Sequence, residues 1–394
     1  MSDPWITDWL HLLTRWFHLV VGAGWIGASF YFNWLNNNIR PVEDPSGRLA
    51  GALWSVHGGA FYQVSKFKGA PEKLPETLHW FKWEAYLTWL SGVSLLALVY
   101  WMQAPLMMAR AEAPLSTAAT VGVGVGSLAL GWVVYDLLCR SPLVKYPKAL
   151  ALLGFSLLTG AAIALNGLLS PRAATMHVGA MMGTMMALNV FFVIIPGQRA
   201  MVDAMLRGEE PDVSRGKAGA LRSLHNNYFT LPTLFIMVSN HFPFVYGGQW
   251  GWAVVMAVTL VGVTIRHWIN LHDRGQPNQV LLPLAALAML ALAYVSHGPA
   301  PKVAAADAPR IDEVQAIISA RCLPCHAATP TFPGIAAPPK DLRLDEPALL
   351  VRSAALVRAQ AVDAQTMPLG NVTQMTAEER ATLGAWIAAG APTR

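Results

Sequence analysis

Charge is scarce in this chain of 394 residues: Asp, Glu, Lys and Arg together make up 13%, against about 25% in soluble globular domains. With 54% hydrophobic residues, that scarcity excludes one large soluble domain, and equally intrinsic disorder. Cysteine is scarce too. Three cysteines cannot build a disulfide framework. The tail from Met1 to Asp8 has no basic residue, so the first apolar run lacks the charged start of a cleavable signal peptide. The excess of +5 does not point to nucleic acid. Residues 302–394 carry nine basic and nine acidic residues, so the whole excess lies in the first 301, in short loops between apolar runs.

Eight apolar runs, near 9–33, 82–102, 117–138, 147–169, 173–195, 219–241, 249–271 and 279–297, approach the roughly 20 residues that cross a bilayer. The loops after the first, third, fifth and seventh runs carry fifteen Lys and Arg residues, and those after the second, fourth and sixth carry only Arg110 and Arg172. Basic loops stay in the cytoplasm, so both termini are expected outside it. The expectation is an all-α chain. Residues 1–300 form an eight-helix transmembrane bundle, 301–309 a Pro/Ala-rich linker, and 310–394 a small charge-balanced domain outside the membrane. A repeat is visible within the bundle. His18, Gly24, Ala28 and Phe32 recur as His177, Gly183, Ala187 and Phe191, and Leu78-His79 recurs as Leu224-His225. This suggests a parallel repeat of four plus four helices.

Cys322-Leu323-Pro324-Cys325-His326 has the C-x-x-C-H spacing of covalent haem c attachment: two thiols bond the porphyrin and the next imidazole reaches iron. A zinc site would need further Cys or His nearby, and residues 302–394 have none. The sixth iron ligand should be Met or His. Met367 lies in the loop Gln365-Thr366-Met367-Pro368, whereas Met375 directly precedes Thr376-Ala377-Glu378-Glu379, a capping box that starts the last helix. Met367 is therefore favoured, and Trp386 is assigned to core packing. Residues 310–394 are therefore expected to be a small class I-like cytochrome c domain, and since haem c is attached outside the cytoplasmic membrane, the motif agrees with the charge count on where the C-terminus lies.

Ionisable groups inside membrane helices are expensive and mark function. His18 and His177 lie within runs and are followed by small residues. They could together hold the iron of a haem b, or simply hydrogen-bond neighbouring helices; His11, on the same helical face as His18 (i, i+7), is a weaker candidate. A different set collects at the cytoplasmic ends: His79, Gln198, Arg199, His225, Asn226, Asn227, Arg266 and His267, with aromatic residues between them. Arginine, amides and aromatic rings suit a flat anionic heterocycle. The same residues could form an interfacial belt. His57-Gly58-Gly59 reads as a flexible loop over that region, and Cys139 as a plain interfacial thiol.

Several strings carry a resemblance: Trp16-Phe17-His18 with Gly24-Trp25-Ile26-Gly27 and Phe30-Tyr31-Phe32; Leu78-His79-Trp80-Phe81-Lys82-Trp83-Glu84-Ala85-Tyr86; Ser223-Leu224-His225-Asn226-Asn227-Tyr228; and Ser239-Asn240-His241-Phe242-Pro243. They resemble the bacterial membrane-bound, cytochrome-c-linked urate oxidases, over the whole chain. The resemblance implies an oxidoreductase of purine catabolism that oxidises urate to 5-hydroxyisourate. Its electrons would pass through its own cytochrome c domain to another cytochrome c or a terminal oxidase, without making hydrogen peroxide. The first string also looks like the His-bearing helix of a membrane haem-b protoporphyrinogen oxidase family. In this reading Arg199 or Arg266 offsets the charge of urate, Gln198, Asn226 or Asn227 reads its edge, and His225, His79 or His267 takes a proton. The competing reading is a quinol-to-cytochrome electron relay without urate chemistry. The sequence leaves homo-oligomerisation open.

Overall fold

Serine, aspartate and proline set where the long helices begin. Ser116 accepts a hydrogen bond from the Ala119 N–H at the start of α4 (Thr117–Arg140), and Ser170 does so from Ala173 at the start of α6 (Pro171–Asn189). Asp212 caps α8 (Val213–Ser239), and Pro147 opens α5 (Pro147–Leu168). These are the residues that satisfy, or lack, the unbonded N–H groups of a first turn. The computed structural model describes residues 4–110, 115–247, 250–297 and 309–393. Its remaining long helices are α1 (Pro4–Asn38), α2 (Trp83–Leu96), α10 (Gly251–Asp273) and α11 (Leu281–His297). Short helices α3 (Ala104–Met107) and α9 (Pro243–Tyr246) lie between them, and α7 (Ile195–Leu206) continues α6.

All eight apolar runs are helical. Among the described residues, four helices are both long and apolar enough to cross a membrane: Thr117–Arg140, Pro147–Leu168, Pro171–Leu206 and Gly251–Asp273. The others fall short for visible reasons. α1 has Asp8, His11 and Arg15 in its first half, and α8 opens with Arg215, Lys217 and Arg222. α2 has 14 residues before the wide turn Ala97–Trp101, and α11 has 17. A second wide turn, Val190–Ile194, joins α6 to α7 immediately before Pro196. A proline cannot donate to the preceding turn, and widening the helix is one way to absorb the missing bond.

α6 is the centre of the packing. Nearly all of it from Ala173 to Asn189 is buried, against α4, α5 and α8. Gly179 lets α8 approach: a Cβ there would lie 2.4 Å from Cγ2 of Ile236, itself fully buried. α1 packs on α2 as α6 packs on α8, the pairing that the repeat suggests.

The expectation of an all-α chain is corrected by one hairpin. Residues Leu49–His57 (β1) and Ala60–Phe67 (β2) pair antiparallel, and Gly58-Gly59 is their two-residue turn, at φ 58° and 78°. Two consecutive positive φ values define the turn whose twist matches paired strands, and glycine adopts them without strain. The His57-Gly58-Gly59 segment is thus a hairpin tip with exposed residues, not a flexible loop over the polar cluster.

Beyond residue 308 the chain builds a separate core from α12 (Ile311–Arg321), α13 (Leu323–His326), α14 (Pro347–Arg352), α15 (Ala354–Val357) and α16 (Ala377–Ala388). Thr376 and Glu379 form the expected reciprocal capping box. Trp386 is fully buried, its indole N–H donating to the Pro392 carbonyl at 2.9 Å. The expected linker, 301–309, lies almost wholly outside the described residues.

Candidate functional site

The polar residues expected to form one cluster at the helix ends divide into separate surroundings. On the α1–α8–α10 seam, Arg266 is 3% exposed and lies 4.2 Å from the centre of the Phe30 ring. It donates to Asn227 Oδ1, and Asn227 Nδ2 donates to Asn270 Oδ1 at 3.0 Å. Arg266, Asn270 and Arg274 recur every four residues, so they line one face of α10. Arg274 donates to Asn37 Oδ1 on α1 at 3.1 Å. Two amide nitrogens here, Nδ2 of Asn270 and of Asn37, are buried and have no hydrogen-bond partner. A buried donor left unpaired costs about 1–3 kcal/mol. Among the described residues no carboxylate pairs with the Arg266 guanidinium. The seam thus holds a buried cation over an aromatic ring, with two buried amide donors unused beside it.

The second surrounding is a closed network between α4, α6 and α8. Arg222 donates to Asp136 Oδ1 at 2.6 Å and to Asn189 Oδ1 at 3.3 Å, with Tyr135 and Trp132 rings against its guanidinium. Asn189 donates to Asn226 Oδ1 (2.8 Å) and to the Tyr135 hydroxyl (3.0 Å). That hydroxyl lies 2.9 Å from His225 Nδ1, and Cys139 Sγ lies 3.6 Å from the same atom. Cys139 therefore belongs to a polar network and is not a plain interfacial thiol. Asn226 and His225 serve structure here, because their partners are already in place. Asp136→Leu is expected to destabilise the protein by about 3 kcal/mol, because it leaves Arg222 buried without its counter-charge. Thermal unfolding in detergent reads this as a lowered Tm, and an unchanged Tm would contradict the ion pair.

The remaining expected residues lie apart. His267 is exposed and its Nδ1 lies 2.7 Å from the Tyr228 hydroxyl. His79 is exposed and packs edge-on against Phe81. Gln198 and Arg199 are exposed on α7. Residues that the sequence reading missed are Asp136, Asn189 and Asn37; a carboxylate or amide within a helix of a membrane protein is the available signal. Glu84 was also missed, and its Oε2 is buried and unpartnered.

His18 and His177 do not fit a haem b held between them. His177 is fully buried; its Nδ1 donates to the Ala173 carbonyl (2.8 Å), and its Nε2 accepts from the Trp101 indole (3.1 Å). Gly124 lies against that Nε2, where a Cβ would come within 2.6 Å. His18 Nδ1 instead meets Ser91 Oγ on α2 at 2.9 Å, with Gly92 against its ring. Both act as helix–helix hydrogen-bonding groups, the alternative role noted for them.

The Cys322–His326 segment does fit a covalent haem. His326 Nδ1 lies 2.9 Å from the Leu342 carbonyl, which can only accept, so Nδ1 carries the proton and Nε2 is free to bind iron. The Leu344 N–H donates to the His326 carbonyl, and the Ala328 N–H to Asp345 Oδ2, at 2.9 and 2.8 Å. These bonds hold the histidine from both sides. That backbone bond and Arg343 keep the Asp345 carboxyl below the usual carboxylate range. Cys322, Leu323, Leu342 and Met367 pack against one core, in which Met375 is itself buried at 3% exposure. Burial pushes the Cys322 thiol up to about 12 and raises that of Cys325.

A mostly helical chain in which four of the described helices are long and apolar enough to span a membrane is consistent with a membrane protein. The urate oxidase N-terminal family matches residues 4–297, and the chain belongs to that family. No curated protein and no solved structure matches it.

Proposed function

We propose that the chain is a membrane urate oxidase whose electrons leave through its own C-terminal cytochrome c domain. Membership of the family supports urate as substrate, and so an oxidoreductase. The observation that carries the reading is the buried Arg266 guanidinium without a carboxylate, set between the Phe30 ring and the amides of Asn227 and Asn270. Urate at neutral pH is a planar monoanion rimmed by carbonyl and N–H groups. Arg266 offsets its charge, Phe30 covers one face, and the free Nδ2 donors of Asn270 and Asn37 meet its carbonyl oxygens.

The reaction is balanced as urate monoanion plus water giving 5-hydroxyisourate, one proton and two electrons, with the hydroxyl added at C5. The proton leaves to water, because the candidate imidazoles His79, His225 and His267 all lie apart from the Arg266 seam. Cys322, Cys325, His326 and Met367 would hold a haem c, which when bound accepts and passes on single electrons. In this reading all eight apolar helices cross the inner membrane, the Arg266 end faces the cytoplasm, and residues 310–394 lie in the periplasm. There they meet the onward acceptor, a cytochrome c or terminal oxidase.

Anaerobic visible spectra of the detergent-purified protein test this. Urate alone is expected to reduce the c-type band, with release of 5-hydroxyisourate and no hydrogen peroxide. Reduction by a quinol but not by urate would overturn the oxidase reading in favour of an electron relay.

A further inference from the structure

The hairpin formed by β1 and β2 carries an exposed apolar face. Val56 pairs with Phe61, and Trp54 with Gln63. Paired residues share a face with those two positions along each strand, so Trp54, Val56 and Phe61 form one patch. They are 65%, 66% and 77% exposed. Phe67, on the same face nearer the base, is exposed as well. Ser55, His57, Tyr62 and Lys66 take the opposite face by the same alternation. A two-stranded hairpin is marginal on its own in water, and an apolar patch bared on it marks an interaction surface.

The base of the hairpin is fixed to the end of α1. Arg40 and Ala52 exchange backbone hydrogen bonds at 3.2 and 3.0 Å. Gly51 permits that approach: its φ is 153°, and a Cβ there would strike the Arg40 carbonyl oxygen. The Lys66 ammonium also donates to Asn36 Oδ1, in the last turn of α1. Tyr31, Phe32 and Trp34 near this end of α1, and Phe81 and Trp83 at the start of α2, are all exposed. Phe32 and Phe81 lie 4.7 Å apart between ring centres, so the two ends are level. Such a ring of aromatic residues at one end of apolar helices marks a membrane–water interface. Between Pro45 and Pro71 the chain has three basic residues and no Asp or Glu. Lys66 and Lys68 donate to neutral oxygens, those of Asn36 and of the Gly47 carbonyl. Arg48 lies 3.6 Å from the exposed Glu72.

We propose that the hairpin docks on the surface of the bilayer that the apolar helices cross. Its Trp54–Val56–Phe61 face enters the headgroup layer, and Lys66 and Lys68 are drawn to anionic phospholipid phosphates. The lysines act from the opposite face and the base, because the field of the headgroups reaches about 8 Å at physiological salt. An aromatic, apolar face backed by basic residues is the pattern of segments that lie in an interface. The anchor on α1 holds the hairpin beside that surface, so docking costs little freedom. The proposal rests on the helices crossing a membrane and is independent of the urate reading.

The test uses full-length protein with one introduced cysteine carrying a bimane label, reconstituted in phosphatidylcholine alone or mixed with phosphatidylglycerol. Gln63→Cys puts the label on the apolar face without removing a member of the patch, and Tyr62→Cys puts it on the other face. Protein without an introduced cysteine sets the background. In the mixed bilayer the Gln63 label is expected to be blue-shifted, and quenched by lipid brominated near its headgroup, more than the Tyr62 label. Trp54→Ser/Phe61→Ser should abolish that quenching and leave the unfolding temperature unchanged. Lys66→Gln/Lys68→Gln should lower the ratio of docked to free hairpin by about tenfold or more, as two bases near an anionic surface imply. A Gln63 label that is unquenched, or quenched no more than the Tyr62 label, would overturn the proposal. Disulfide-linked dimers of Gln63→Cys without quenching would assign the face to a second copy instead. Equal docking on neutral and mixed bilayers would overturn the anionic contact.

Discussion

Arg266→Gln is expected to lower kcat/KM for urate by about 100-fold or more. Removing one partner of a buried charge contact costs about 2–5 kcal/mol, and each 1.4 kcal/mol is about tenfold. Arg266 is buried, stacks on Phe30 and donates to Asn227, so no other cation on this seam replaces it in the same position. Steady-state urate consumption with an external cytochrome acceptor measures the effect. Dithionite reduction of the c-type band should be unchanged, which separates lost substrate binding from lost folding. Asn270→Ala should give a smaller loss in the same direction, because it removes a neutral donor. Unaltered urate kinetics in Arg266→Gln would move the substrate site elsewhere.

The second large effect is expected at the covalent motif. Cys322→Ala/Cys325→Ala should leave no haem that survives denaturing gel electrophoresis, and urate-dependent reduction of an external acceptor should fall to background. His326 would keep its Nδ1 bond to the Leu342 carbonyl, and the core around Val314, Leu383 and Trp386 is built from protein side chains, with Trp386 bonded to the Pro392 carbonyl. Urate binding, measured by equilibrium dialysis, should therefore persist in this variant. Persistence of binding without electron transfer would assign the two functions to different parts of the chain. Loss of both would mean that the helical part depends on the C-terminal core for its shape.

Much of this was legible from local pattern. The eight apolar helical segments and the capping box at Thr376 each depend on neighbours a few residues away, and each appears where the pattern puts it. The hairpin was equally local, and Gly58-Gly59 between two strand-length segments was its signal. The polar site was legible only as a set of residue types. Asn226 and Asn227 are adjacent, yet one closes a network with Asn189 and Arg222 and the other joins Arg266 and Asn270. A helix turns about 100° per residue, so adjacent residues serve different interfaces.

The same division holds for His18 and His177. Their matching positions in the repeat are a property of the chain, but their partners are not. Ser91 lies 73 residues from His18, and Trp101 lies 76 residues from His177. The sequence by itself determined the helices, their apolar character and the covalent motif, because periodicity and spacing act along the chain. Only the tertiary structure decided which polar groups satisfy one another and which are left for a ligand, because that depends on which helix faces meet.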